Sequence, residues 1–498
     1  MVQMRKWQPL LKLDRAGQRP SYRQIAEGLV AAIADGRLRP GELLPGSREM
    51  AQLLKVNRKT VILAYEEAAT KGWLHSEQRR GTFVSQHLAP AASPTPAAGP
   101  PFALALHEAL ATPYFAHGEQ VTAHCDRPGA LFFDNGTSDH RLLPQAVLHR
   151  YYRKALRSSF ASNTVRHGSE SSSRYLRGAL ADMLRHQRGM NIGAEHICLT
   201  QGVQMSLYLV ARAVLKPGDT VLIERLSYPP AWEIFRQLGA RLVTVDLDEE
   251  GCRVDQVDAL CRLHNVRAMY ITPHHQFPTT VSLHAGRRQQ LLELARQHAF
   301  CVIEEDYDHE FHYAGQPYPP LASDRRQRHV IYVGSLSKAL GSTFRCSYIV
   351  APPQVVEVLE RQAAVMLGQG DAVMQRMLAD LIIDGELSKH LRRVCAEYRR
   401  RWETLAGCLR AAFGERIVLR EPEGGQALWV RFDDTIDVDQ LVAHALQLNL
   451  VVRSGRQFSP LGERENALRL GFASLSAEEI VQATERLGRA WGRMKGDD

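Results

Sequence analysis

Between Tyr22 and Asp35 the apolar residues Ile25, Leu29, Val30 and Ile33 recur at the spacing of one helical face, and Gly36 stops the pattern. After a short extended link through Leu38 to Pro45, Ser47 reads as the N-cap of a second helix that runs to Leu54. A break at Lys55 and Val56 follows. Asn57 then caps a third helix, Arg58 to Lys71, with Val61, Ala64, Tyr65 and Ala68 on one face. Trp73 to Ser76 and Gly81 to Val84 read as two strands around the basic tip Gln78-Arg79-Arg80. Two short helices with a tight turn, followed by a hairpin, make a helix-turn-helix with a wing.

Residues 87 to 101 are rich in proline and alanine, a composition that forms neither a helix interior nor a sheet ladder and serves as a spacer. Between residues 102 and 130 a short helix near Phe102 to Ala111 is the one element suggested. From there β-rich runs appear at 197–200, 220–224, 241–245, 268–272, 300–304, 330–333 and 346–350. Helical patterns at 204–215, 231–238 and 284–298 fall between several of them. Strand and helix in alternation imply a mostly parallel sheet covered on both faces. The division expected is a small unit at 18–86, a linker at 87–130 and a large unit at 131–498, with a smaller α+β subdomain from about residue 390.

Composition changes this picture mainly through charge. The chain has 498 residues and a formal net charge of +8. Residues 1 to 87 hold 15 Lys plus Arg against 8 Asp plus Glu, so +7 of that charge lies in the first sixth. A small basic unit joined to a nearly neutral large one suggests a nucleic-acid partner for the former, and the winged helix-turn-helix makes that partner double-stranded DNA. Asn57, Arg58, Lys59 and Thr60 lead the third helix and are placed to reach bases and phosphates; Arg48, Arg79 and Arg80 are placed to grip the backbone. No apolar run approaches a membrane span and no signal-peptide core opens the chain, so a cytoplasmic location and no membrane partner are expected. Eight cysteines (Cys125, Cys198, Cys252, Cys261, Cys301, Cys346, Cys395 and Cys408) include no C-x-x-C pair, which fits reduced thiols.

Candidate chemistry centres on Val330 to Lys338, an apolar run ending in a small-residue turn that leaves a lysine at its mouth. A strand-end lysine of this kind suits a Schiff base to pyridoxal 5'-phosphate (PLP), with Ser335, Ser337 and Arg345 around the phosphate. Gly202-Val203-Gln204 opens a helix whose positive end can also hold phosphate. Tyr228 could stack on an aromatic ring, a carboxylate of Glu304-Glu305-Asp306-Tyr307 could pair with a pyridinium nitrogen, and Arg469 could bind a carboxylate. His274 and His275 are adjacent. On an extended segment they would face opposite ways, so no metal site is expected.

The stretches Leu44-Pro45-Gly46-Ser47-Arg48-Glu49-Met50-Ala51, Val56 to Val61, Ala64-Tyr65 and Gly81-Thr82-Phe83-Val84 resemble a GntR-type winged helix-turn-helix, which adds Tyr65 and Gly81 to the DNA-side residues. Thr272 to Thr279 and Ile303 to Phe311, with Lys338, resemble the fold type I aminotransferases, and the whole order resembles MocR-type regulators. The fold implied is multidomain: a winged helix-turn-helix, then an α/β fold type I PLP-dependent aminotransferase-like domain with a small α+β C-terminal subdomain. By that likeness Lys338 carries PLP, Glu305 faces the pyridine nitrogen, Tyr307 the ring hydroxyl and Tyr228 the ring face. Arg345 takes the phosphate, and Arg469 the carboxylate of an amino-acid-like effector. The function implied is a homodimeric regulator in which PLP or an amino compound controls operator binding; the alternative is a working aminotransferase that carries a DNA-binding module. The family has Asp at Glu305, Gly at Thr280, Gly at Ser172 and often Tyr at His167. These departures speak more against efficient turnover than against PLP binding.

Overall fold

The computed structural model describes residues 20–70, 72–77, 80–85, 128–161, 169–313, 317–324, 328–341, 343–368 and 370–494. The linker to residue 127, the helix expected at 102–111, Gln78, Arg79, Cys125 and His167 lie outside the described residues. The chain divides into two units, Met1–Ala116 and His117–Asp498.

In the first unit, α1 (Ser21–Ala34), α2 (Ser47–Leu54) and α3 (Arg58–Thr70) are followed by β1 (Leu74–Glu77) and β2 (Gly81–Val84), an antiparallel pair. Ile25, Leu29 and Ile33 of α1 and Val61, Ala64 and Ala68 of α3 share one core with Leu44, Leu54 and Val84. Burial of each leucine-sized side chain there contributes about 1.5–3 kcal/mol. Ser47 is not the cap expected of it. Gly46 holds the extended cap position and Ser47 is the first helical residue. Its hydroxyl accepts instead from Arg58 Nε at 3.2 Å, joining α2 to the start of α3. Asn57 does cap α3, its Oδ1 accepting from the Lys59 N–H at 2.9 Å, and Lys55 makes the break with φ 53°.

In the second unit the expected alternation appears as α4 (Ser169–Arg188), β3 (Ile197–Thr200), α5 (Val203–Val214), β4 (Thr220–Glu224), α6 (Pro229–Gln237), β5 (Arg241–Val245), β6 (Val266–Ile271), α7 (Ala285–His298), β7 (Cys301–Asp306), β8 (Val330–Ser335), α8 (Ser337–Leu340) and β9 (Ser347–Val350). The seven strands lie in the order β3-β9-β8-β7-β6-β4-β5. All neighbours are parallel except β9, which runs antiparallel to both β8 and β3. The central strands are buried on both faces. Ile303, Ile331 and Val333 pack into one core, and Val302 and Val330 into the other, as the two-residue alternation of a strand requires.

A long helix, α9 (Glu386–Phe413), leads into β10 (Ile417–Leu419), β11 (Ala427–Phe432), β12 (Arg453–Ser454) and β13 (Ala467–Gly471). They form an antiparallel sheet in the order β10-β11-β13-β12, closed by α10 (Ala477–Met494). This is the smaller α+β subdomain. Among the described residues no helix is long and apolar enough to cross a membrane.

Candidate functional site

In the small unit Arg48, Asn57, Arg58 and Lys59 are exposed, Thr60 is half-buried, and all five lie on α2, on α3 or at the cap between them. Arg80 is exposed at the wing, where it pairs with Glu77 at 2.6 Å, and Gly81 opens β2. Tyr65 stands elsewhere than expected. It is 7% exposed and its hydroxyl donates to the Pro45 carbonyl at 2.8 Å, so it is a core residue that ties α3 to the turn before α2 rather than a DNA-facing one. Its position among the buried face residues Val61, Ala64 and Ala68 is the reason.

In the large unit Lys338, Glu305 and Tyr228 lie at or just past the carboxyl ends of parallel strands, where an open α/β sheet leaves a crevice, and Arg345 and Arg469 reach it from just before β9 and from β13. Lys338 lies in α8, three residues beyond β8. Its Nζ donates to the carbonyls of Gly136 and Asn135, the latter at 3.3 Å, and its own backbone carbonyl accepts from the Ser138 hydroxyl. Burial pulls the Lys338 ammonium below the usual lysine range, and Arg469 works the same way while Asp134, Asp308 and Glu305 oppose them. Glu305, near the end of β7, accepts from the Tyr270 hydroxyl at 2.5 Å. Burial raises its pKa to about 7 against the opposing effects of Tyr270 and Lys338. Tyr307 is buried, and its hydroxyl donates to the His275 carbonyl at 2.8 Å. Arg469, on β13, donates from Nη1 to the Pro278 carbonyl at 2.6 Å, lies 4.3 Å from the Phe277 ring centre, and reaches the Tyr307 hydroxyl at 3.5 Å. Its Nε is buried without a partner.

The residues expected around a phosphate lie near one another. Gly202 holds φ 99° immediately before α5, and a Cβ there would lie 3.2 Å from Arg345 Nη2. The missing side chain therefore keeps a recess open between the Arg345 guanidinium and the first turn of α5, formed by Val203 and Gln204, whose N–H groups face the helix end. A cleft of about 590 Å³ adjoins it, lined by Thr200, Gln201, Thr343 and Arg345. Ser335 accepts from the Ser337 N–H at 3.1 Å and the Ser347 hydroxyl at 3.0 Å, and Ser337 donates to the Phe344 carbonyl at 3.1 Å, so both brace the turn. Tyr228 caps α6 with its ring edge-on to Phe277, 5.3 Å between centres. Burial raises its hydroxyl pKa, as does Glu305, while a hydrogen bond from Gln204 opposes both.

A lysine at the end of a buried strand, a carboxylate and a tyrosine beside it, and an arginine with a helix start at the far end fit PLP as a group of residues. Sequence reasoning missed Tyr270, the carbonyls of Asn135 and Gly136, and Asp308. Tyr270 and the 135–136 carbonyls come from segments with no motif of their own, whereas Asp308 lies within the Ile303 to Phe311 stretch and went without a role because nothing in that pattern says which of its carboxylates faces the lysine. It also misjudged the adjacent histidines. Strand β6 ends at Ile271 and the chain turns through residues 272–281, so the alternation of a strand no longer applies, and the His274 and His275 rings lie 4.1 Å apart. His274, 4% exposed, has no hydrogen-bond partner at either ring nitrogen, an arrangement that costs about 1–3 kcal/mol per unmet group. Burial holds its pKa well below the usual histidine value. Thr280, the departure from glycine, takes φ 64°.

Residues 138–487 match the family model for aminotransferase class I and II, and residues 21–84 match that for bacterial regulatory proteins of the gntR family. The chain is 27% identical over 491 residues to the probable rhizopine catabolism regulatory protein MocR of Rhizobium meliloti, covering 97% of this chain and 96% of that protein. It is 28% identical over 487 residues to the HTH-type transcriptional regulator TauR of Rhodobacter capsulatus, covering 96% and 98%. Among solved structures, the α-aminoadipate aminotransferase LysN of Thermus thermophilus superposes with a TM-score of 0.67 at 26% identity, over 74% of this chain and 94% of that one. Full-length relatives thus carry the same two domains in the same order, and the chain belongs to the aminotransferase class I and II family, joined to a GntR-type helix-turn-helix as a transcriptional regulator of the MocR type.

Proposed function

We propose that the large unit binds PLP through Lys338 and that occupancy of this pocket, by PLP or by an amino compound reacting with it, controls the affinity of the small unit for an operator. The observation that carries this reading is the buried Lys338 nitrogen, held by the Asn135 and Gly136 carbonyls and subject to the charges of Glu305 and Arg469. When bound, PLP supplies an aldehyde for the lysine nitrogen and an electron-withdrawing ring. The protein's part is to hold and orient. Arg345 and the first turn of α5, with Ser335 and Ser337 shaping the turn, would fix the phosphate; Glu305 would hold a proton at the ring nitrogen, Tyr307 would donate to the ring hydroxyl, and Tyr228 would cover the ring face. Arg469, with Nε unpaired, has a donor left for an effector carboxylate. A relative from Corynebacterium glutamicum, 28% identical over 378 residues and 76% of each chain, is described as the pyridoxine biosynthesis transcriptional regulator PdxR, which supports PLP as a signal for this group.

On the DNA side, the exposed Arg58 and Lys59 at the start of α3, with Asn57 and Thr60, would enter the major groove and reach both bases and the flanking phosphates, while Arg48 and the wing residues Arg79 and Arg80 would hold the backbone. A homodimer would present two such modules to two half-sites. The test is the affinity of the full-length protein for its own upstream DNA at fixed salt, with and without PLP. A change of at least about tenfold that Lys338→Ala abolishes is expected; equal affinities in all four conditions would overturn the reading. Lys338 and Arg469, with a carboxylate still present at Glu305, also support a transaminase reading. Release of a keto product from any of a broad set of amino donors at an ordinary enzymatic rate would favour that alternative.

A further inference from the structure

Beside the pocket, but outside the set of groups assigned to it, stands a cluster of imidazoles. His274 and His275 lie in the turn after β6, and His312 lies six residues beyond β7. One ring nitrogen from each lies within 4.8 Å of the others. We infer that His274, His275 and His312 form a site for one divalent transition-metal ion of zinc type, with a fourth position left to solvent.

Three features point to a ligand rather than to packed rings. Both nitrogens of His274 and Nε2 of His275 are buried without a hydrogen-bond partner. Polar atoms so placed are met in folded proteins by a partner of some kind, and a metal ion serves lone pairs on several imidazoles at once. Second, His275 Nδ1 is 2.8 Å from Asp308 Oδ1. A carboxylate behind one ring nitrogen fixes the tautomer and turns the other nitrogen into a lone-pair donor, which is the outer-shell arrangement of metal-binding histidines. Third, Gly424 lies over the same ring. A Cβ there would fall 2.8 Å from His275 Nε2, so the absent side chain leaves that nitrogen approachable. His309 extends the cluster, with its ring 4.7 Å from that of His274 and its Nδ1 2.9 Å from Asp306 Oδ2.

The donor set selects the ion. Three neutral imidazoles without thiolate suit zinc, and also nickel, cobalt or copper, over magnesium or calcium, which prefer oxygen. Bonds of about 2.0 Å in a tetrahedral site bring nitrogens to roughly 3.3 Å from one another, so small rotations of rings now within 4.8 Å close the site. The ion would pin the turn at 272–281 to the segment after β7. That turn supplies the His275 carbonyl to the Tyr307 hydroxyl and the Pro278 carbonyl to Arg469, so the metal would hold the frame of the neighbouring pocket.

The test uses the untagged full-length protein, stripped with chelator and titrated with zinc in competition with a chromophoric chelator. One equivalent per chain is expected. Affinity should fall at least about tenfold in His274→Ala, in His312→Ala and in Asp308→Asn. Circular dichroism at each step establishes that the variants are folded. Absence of stoichiometric binding, or a full equivalent retained by the folded double variant H274A/H312A, would overturn the site. Should the variants not fold, zinc-edge X-ray absorption of the wild-type protein decides instead. A shell of imidazole nitrogens is expected, and sulfur ligation, through any of the eight cysteines, would sink the proposal. None of these readouts depends on PLP or DNA.

Discussion

Thr280 bears a branched side chain at φ 64°, a conformation in which a Cβ is crowded by the backbone at a cost of about 1–2 kcal/mol. Replacement by glycine relieves that strain but enlarges the freedom of the unfolded chain, which returns part of the gain. Thr280→Gly should therefore stabilise the large unit by roughly 0.5–1 kcal/mol, read as a higher melting temperature; a lower one would contradict the account. Glu224 is buried, accepts from the backbone N–H and hydroxyl of Thr272, both at 3.2 Å, and has its pKa raised by burial from 4.5 to about 8. Between those values the folded state holds a proton that the unfolded state has released. Its contribution to stability is complete below about pH 4.5 and is lost as pH rises towards 8. Compared with Glu224→Gln, the wild type should lose about 1.4 kcal/mol more per pH unit across that window, a slope that denaturant melts at several pH values would measure. At this scale the sequence reveals a side chain whose chemistry is tied to a local pattern. Lys338 after an apolar run and Arg345 just beyond are of that kind. Tyr270 was not readable, because nothing near it in the chain says that its hydroxyl meets Glu305, 35 residues on.

Helices and strands were legible wherever burial imposed a period. Strands at 197–200, 220–224 and 241–245 stand where their apolar runs begin and end, and β7 and β8 each continue two residues past the apolar run into the polar residues that carry the site. Periodicity ends where the chain turns polar, even though the backbone ladder goes on. The antiparallel course of β9 was not readable either, since direction leaves no mark on a run buried on both faces. Asn57 is legible as a cap, whereas Ser47 is not one, because the helix begins one residue earlier than its hydroxyl suggests and that hydroxyl is taken up by Arg58. The leading turn of α3 carries a prediction. Arg58 is exposed and, among the described residues, its Nε donates to the Ser47 hydroxyl at 3.2 Å, which leaves its other donors for a phosphate. Arg58→Ala should lower the steepness of the salt dependence of operator binding by about one ion, measured by anisotropy across a salt series; an unchanged slope would remove Arg58 from the backbone contacts.

Across the whole molecule, charge and chemistry are segregated: the first sixth holds +7 of the +8 net charge, and the lysine pocket lies in the other unit. Coupling between two such sites is reciprocal by thermodynamic necessity. If PLP changes operator affinity by some factor, saturating operator should change PLP affinity by the same factor, which paired titrations would test; a mismatch beyond error would mean that the two ligands do not share one equilibrium. The covalent order of the chain adds something to that coupling. Residues 135–138 stand near the start of the large unit, shortly after the linker in sequence, and Lys338 grips them twice, through its side chain at 135 and 136 and through its backbone carbonyl at Ser138. A new bond at the lysine nitrogen takes away the first grip and leaves the second. Under the proposed function, the residue that would receive the signal is thus also one that fastens the first residues of the large unit to the body of the pocket.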